Sequence, residues 1–199
     1  GNKDVTETWN GSSWTEVADL NYGRTRVGSA GSSAPASLAF GGGPSYQATC
    51  EKWNGTSWTE VGDLNTAKVV FGTGTQTAAL AAGGEIPSSP WSTLNVEYWD
   101  GSSWTEGANL NTSVNFNGVA GTQTAALSFG GMAPSATGNT ELYDGTSWAE
   151  QNNLATARAE MAPAGTSIAA LGTGAGPPGA VTTTEEWTVD EDLQTVAFD

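Results

Sequence analysis

Histidine is absent from the 199 residues, and cysteine occurs once. The first absence removes His-based acid–base catalysis, catalytic triads and most catalytic zinc or copper sites. The second excludes an intramolecular disulfide framework. Cys50 itself lies in the strand-like stretch ATCEKW and reads as a small buried residue. Cationic residues are scarce, 6 against 21 acidic ones, for a net charge of −15. Nucleic acids and anionic membrane surfaces are both bound through Lys and Arg, so neither is an expected partner. The acidity reads instead as a way to keep a Trp-rich chain soluble. No apolar run approaches the ~18 residues of a membrane helix, so no membrane insertion is expected. The sequence opens on Gly1 without an initiator Met or a signal-peptide pattern, and is expected to be a mature product or a fragment. Gly-rich phosphate loops, Cys/His clusters and nucleophile elbows are missing too. The expectation is a non-enzyme without cofactor or metal.

What the chain does have is nine tryptophans, against disorder, and 27 glycines, which point to many turns. NGSSWTEVADLN at 10–21 nearly recurs as NGTSWTEVGDLN at 54–65 and DGSSWTEGANLN at 100–111, and more loosely as DGTSWAEQNNLA at 144–155. Trp9, Trp53, Trp99, Tyr143 and Trp187 share one register, spaced by 44, 46, 44 and 44 residues. Trp14, Trp58, Trp104 and Trp148 each follow five residues later, whereas the fifth unit has Asp192 in that place. A glutamate stands two residues before each member of the first series: Glu7, Glu51, Glu97, Glu141 and Glu185. A second phrase falls between these copies, SLAFGG at 37–42, ALAAGG at 79–84, ALSFGG at 126–131 and ALGTGA at 170–175. GTQTA leads into two of them, at 74–78 and 121–125.

A period of about 44 residues marks a repeat architecture, and short alternating runs bounded by turn signals make each unit β. Four strands are predicted per unit. Strand a follows the NxxR motif, strand b is the SLAF phrase, strand c ends at the first aromatic, and strand d starts at the second. The Asn-Gly or Asp-Gly between c and d predicts a tight type I′ hairpin. There are five c–d hairpins (4–20, 48–64, 93–109, 138–153, 183–198) but four a–b pairs (24–42, 69–84, 114–131, 157–173). Residues 1–199 therefore read as one domain: a partial blade at 1–20, then four-stranded blades at 21–64, 65–110, 111–154 and 155–199. Starting in mid-blade, the chain reads as part of a longer one.

Gly41-Gly42, Gly83-Gly84 and Gly130-Gly131, with the aromatic pairs Trp9/Trp14, Trp53/Trp58, Trp99/Trp104 and Tyr143/Trp148, resemble kelch-type β-propeller repeats. Arg24, Lys68 and Arg158 stand where kelch repeats often open a blade with Arg; Val114, Gly174-Ala175 and Asp192 depart from the pattern. The resemblance implies an all-β, kelch-like propeller of four-stranded antiparallel blades, about five in number. GTQTAAL…GG with NGSSWTE is also similar to kelch-like arrays of bacteriophage structural and bacterial surface proteins. DGSSW is similar to the Asp box of sialidases, but that motif separates its Asp and Gly, whereas Asp100 and Gly101 are adjacent.

In such a blade the aromatics Trp9, Trp14, Trp53, Trp58, Trp99, Trp104, Tyr143, Trp148 and Trp187 are expected to fill gaps between blades. The repeated glutamates read as solvated or locally hydrogen-bonded, with a cation-binding carboxylate ring as the alternative. Strand alternation sends a–b and c–d turns to one face, and b–c and d–a connections to the other. The c–d turns are near copies, so the sequons at Asn10, Asn54 and Asn111 need no glycan to explain them. The b–c loops differ: GGPSYQA at 42–48, EIPSSPWSTLN at 85–95, MAPSATGN at 132–139 and AGPPGAVT at 175–182. Variable loops on a rigid scaffold are where binding resides. Trp91 and Tyr46 supply aromatic surface there, and Arg24, Lys68 and Arg158 are expected to add positive charge to the same contact face. Trp91 packing on its own loop or on a neighbouring chain is the alternative. Two functions remain open. One is a non-enzymatic recognition module outside a cell or on a virion, binding glycan or protein through the b–c face. The other is a structural subunit of a phage fibre, capsid decoration or bacterial surface layer, whose partners are other subunits.

Overall fold

The computed structural model describes residues 3–176 and 181–189. Asp192, the end of the fifth hairpin and residues 177–180 of the last b–c connection lie outside them. The described residues contain no helix. They form a β-propeller of four blades, preceded by one extra hairpin. That hairpin pairs β1 (Glu7–Trp9) with β2 (Trp14–Glu16). The first blade is β3 (Gly28–Ser33), β4 (Ala36–Phe40), β5 (Cys50–Trp53) and β6 (Trp58–Glu60). The second is β7 (Gly72–Thr75), β8 (Ala78–Ala82), β9 (Val96–Trp99) and β10 (Trp104–Glu106). The third is β11 (Gly118–Thr122), β12 (Ala125–Phe129), β13 (Thr140–Tyr143) and β14 (Trp148–Glu150). The fourth comprises β15 (Ala162–Gly165), β16 (Ala169–Ala175) and β17 (Val181–Thr188). Every pairing is antiparallel between chain neighbours, the a-b-c-d order of the sequence reading.

Aromatics set both the hairpin register and the blade contacts. Trp9↔Trp14, Trp53↔Trp58, Trp99↔Trp104 and Tyr143↔Trp148 are cross-strand partners, with ring centroids 5.0–5.5 Å apart. Trp104 also meets Phe40 of the preceding blade edge-on at 4.8 Å. The apolar residues accordingly form three clusters between successive blades rather than one central core. Two glutamines add polar clamps at two of these junctions. Gln76 donates to the Ser37 and Trp53 carbonyls of the blade before it, and Gln123 to those of Ala79 and Trp99.

The c–d turn differs from the type I′ expectation. It is a four-residue loop in which only the glycine is left-handed, for example Gly11 at φ 99°. The side chain before it supplies the rest: the Asn10 Oδ1 accepts from the Ser12 and Ser13 amides, both at 2.9 Å. Asp100 and Asp144 do the same. An Asx turn thus replaces the second left-handed residue that a two-residue hairpin would need. The Gly pairs after strand b have a different cause. A Cβ on Gly41, at φ 64°, would stand 2.7 Å from the Lys68 carbonyl oxygen of the next blade.

The aromatic series departs from expectation at its N-terminal end. Trp99 and Trp104 are 0% and 4% exposed, and Trp53, Tyr143 and Trp148 are also buried, whereas Trp58 and Trp187 are partly exposed. Trp9 and Trp14 are 48% and 63% exposed, so they are not interior fillers. The reason is local: among the described residues β1 pairs only with β2, and no strand b lies alongside to bring an a–b turn over them.

Candidate binding face

Positive charge enters three of the four blades at the d–a connection and is consumed there. Arg24 reaches Glu51 at 2.7 Å, with both side chains fully buried. It also donates to the carbonyls of Gly41 and Thr49. Lys68 pairs with Glu97 at 3.1 Å, again fully buried. Arg158 pairs with Glu185 and donates to the Thr183 carbonyl. Burial lowers the pKa of Arg24 and of Lys68, while the facing glutamate opposes that shift. The expectation that Arg24, Lys68 and Arg158 meet a partner is therefore corrected: they tie the entering loop to strand c.

The repeated glutamates complete the same lock. Glu51 also accepts from the Asn21 amide and side chain, and Glu97 and Glu141 accept likewise from Asn65 and Asn111. Held one per blade in this way, Glu51, Glu97 and Glu141 do not converge on a shared cation site. Among the described residues no group of three or more His, Cys, Asp or Glu side chains is placed to hold a metal ion. In the third blade Val114 replaces the cation, and Glu141 is satisfied by the Asn111 and Thr112 donors alone. Cys50 is buried as expected, and burial pushes its thiol up to about 12.

With those charges withdrawn, another set occupies the face. Arg26, two residues beyond the lock, lies 3.3 Å from Glu160 of the fourth blade and 3.8 Å from Glu85 of the second. Its guanidinium sits 4.9 Å over the ring of Phe116 of the third blade. Tyr46 donates to Glu85 at 3.3 Å, and burial followed by the Glu85 charge raises the phenol's pKa. All four blades therefore contribute to one cluster on the propeller axis. Beside it Arg26, Tyr46, Glu85, Pro44 and Val69 line a depression of about 220 Å³. Deeper along the axis a cavity of about 480 Å³ is walled by small residues such as Gly31, Gly72, Thr73, Ala120 and Ala164.

Backbone geometry singles out the same face. Among the described residues five non-glycine residues have left-handed φ: Arg26 (53°), Tyr46 (48°), Trp91 (66°), Phe116 (56°) and Glu160 (54°). All five lie in b–c or d–a connections. Each such residue costs on the order of 1–3 kcal/mol and persists where the surroundings hold it, often at functional sites. Trp91 is 53% exposed, so it does not pack down on its own loop, although its carbonyl accepts from Asn115. Tyr46 is half-buried.

Sequence reasoning thus placed Tyr46 and Trp91 on this face but missed Arg26, Glu85, Phe116 and Glu160. No sequence signal marked them: the positions two beyond the lock read Arg26, Val70, Phe116 and Glu160, all different, but the positions on either side vary as much.

No family model matches the chain, and no curated protein matches it. A solved structure, that of YjhT, is similar with a TM-score of 0.77 at 12% identity, over 94% of this chain and 74% of that one. Identity this low carries the fold alone.

Proposed function

We propose that the chain is a non-enzymatic recognition module, a kelch-like array of the kind borne on virions or cell surfaces. It binds a glycan or a protein loop through the b–c and d–a face. The observation that carries this reading is that the five left-handed non-glycine residues among those described share one face, four of them around a single charged and aromatic cluster. The left-handed residue recurs at one d–a position in three of the four blades, as Arg26, Phe116 and Glu160 but not at Val70, whereas Tyr46 adds a fourth from a variable b–c loop. The chemistry suits carbohydrate. Glu85 and Glu160 accept hydroxyl protons, Arg26 donates, and the Tyr46 and Trp91 rings offer flat apolar surface. Two carboxylates against one guanidinium favour neutral or amino sugars over acidic ones.

One observation favours the alternative, a structural subunit whose partners are other chains: the exposed pair Trp9 and Trp14. A glycan array probed with the parent, Arg26→Ala and Trp91→Ala proteins separates the two. Recognition predicts a neutral or amino-sugar signal that both substitutions weaken, while Ser12→Ala in a c–d turn leaves it unchanged. An array without signal, or one indifferent to both face variants, overturns the glycan reading.

A further inference from the structure

One depression on the loop face lies where the b–c loop of the first blade meets the entry to the second. Thr25, Arg26, Pro44, Tyr46, Val69 and Glu85 line its volume of about 220 Å³. Main chain fixes its walls. Thr25 and Gly43 exchange amide–carbonyl hydrogen bonds at 3.1 and 2.8 Å, and Val69 and Glu85 do so at 2.9 and 2.8 Å. Glu85 stands where the first and third blades have Gly43 and Met132, so its carboxylate is no part of the repeat. Nor does it belong to the buried locks of these two blades, which use Glu51 and Glu97.

The Glu85 carboxylate is the under-neutralised charge of this depression. Arg26 approaches its Oε2 only to 3.8 Å, beyond hydrogen-bonding reach, and comes closer to Glu160, at 3.3 Å. The flat side of the same guanidinium is committed to Phe116, 4.9 Å away. Glu85 Oε1 accepts from the Tyr46 hydroxyl at 3.3 Å. An ionised carboxylate offers about four acceptor positions, so this one keeps capacity for a further donor. Its side chain is 21% exposed, partly withdrawn from water yet reachable from the depression.

We propose that this depression is the subsite for the ammonium group of an amino sugar. The inference rests on the recognition reading and narrows it from glycan to one sugar class. The ammonium donates to Glu85 in charge-assisted hydrogen bonds, which are roughly twice as strong as neutral ones. The Tyr46 and Pro44 rings offer apolar surface to one side of the pyranose. The Thr25 hydroxyl and the Arg26 N–H groups are left for the sugar's own hydroxyls. An acidic sugar is disfavoured, because Glu85 and a net charge of −15 repel it. A lysine side chain carries the same ammonium but no hydroxyls, and would leave Thr25 and Arg26 without partners.

The test titrates D-glucosamine, N-acetyl-D-glucosamine and D-glucose into the whole protein, with binding read by calorimetry and saturation-transfer NMR. Glucosamine is expected to bind saturably, and the other two at least about 10-fold more weakly. Glu85→Gln keeps the size of the side chain and an acceptor for Tyr46, so the melting temperature should hold while the preference for the amine disappears. Tyr46→Ala removes the ring and should weaken glucosamine and glucose alike. Equal affinity for all three sugars overturns the ammonium subsite and leaves the recognition reading standing. So does a preference that survives in Glu85→Gln. Nα-acetyl-lysine amide binding as well as glucosamine would seat a protein side chain here and overturn the sugar. No binding of the three sugars, with signal from other glycans on the array, sinks this inference alone; silence in both sinks the reading beneath it as well.

Discussion

The guanidinium of Arg26 and the carboxylate of Glu160 meet at 3.3 Å across the axis, one from the first blade and the other from the fourth. Both residues are left-handed, and the Arg26 side chain is half exposed. A contact that existed for stability would hardly be built from two strained residues in water, where an ion pair contributes about 0–1 kcal/mol. Arg26→Gly relieves the strain, adds chain entropy to the unfolded state and loses the surface pair. These terms are each of order 1 kcal/mol and oppose one another. The melting temperature is expected to stay within a few degrees of the parent, while partner binding on the array falls about tenfold. A large drop in melting temperature would make Arg26 a structural residue.

The buried locks give a second expectation. Glu51→Gln leaves Arg24 charged inside the blade with no anion, which typically costs about 3–5 kcal/mol. Glu141→Gln strands no cation, because Val114 stands in that place, so the loss should be nearer one hydrogen bond, about 1–2 kcal/mol. Urea denaturation of the two single variants provides the comparison. Equal losses would refute the lock as an ion-pair device.

The aromatic positions are expected to separate by burial, not by sequence. Trp104→Ala removes a ring wedged against Phe40 and should cost about 3–5 kcal/mol. Trp14→Ala, at the matching place of the open hairpin, should stay within about 0.5 kcal/mol. Thermal melts decide; equal effects would mean that Trp14 is covered in solution.

Asp100 gives an expectation in pH. The amide of Ser103, followed by the hydroxyl and amide of Ser102, holds its carboxyl at about 2, below the ordinary 3.8. A carboxylate depressed on folding stabilises the fold above its unfolded pKa, and that contribution is lost as pH falls through the folded value. Asp100→Asn keeps the turn, since Asn10 and Asn54 accept the same amides through Oδ1. The variant should match the parent at neutral pH and lose less stability between about pH 5 and pH 2. An unchanged acid limb would show that the turn carboxylate does not contribute.

Blade order and strand order were legible because their causes are local and repeated. The Gly pair before Thr49 needs left-handed backbone, the Asn10 turn needs its own side chain, and Trp53 meets Trp58 across four residues. The fate of the charges was not legible. Arg24 looks like surface until Glu51, 27 residues on, folds over it. Nor did any local pattern announce that Arg26, Glu85, Phe116 and Glu160 converge, since each comes from a different blade. Only ring geometry brings them together.

The glutamine clamps carry a consequence for how the molecule comes apart. Gln76 and Gln123 tie the second blade to the first and the third to the second. The corresponding turn positions are Ala34 in the first blade and Ser167 in the fourth, neither of which has the amide to reach back. In a repeat array, stability is approximately a sum of unit terms and nearest-neighbour terms. The first three blades are thus cross-tied, and the leading hairpin and the fourth blade are not. Amide hydrogen exchange should run inward from each flank, with β8, β9 and β12 the last to take up deuterium. The face that takes Glu160 from the fourth blade would then lose its shape before the cross-tied blades open.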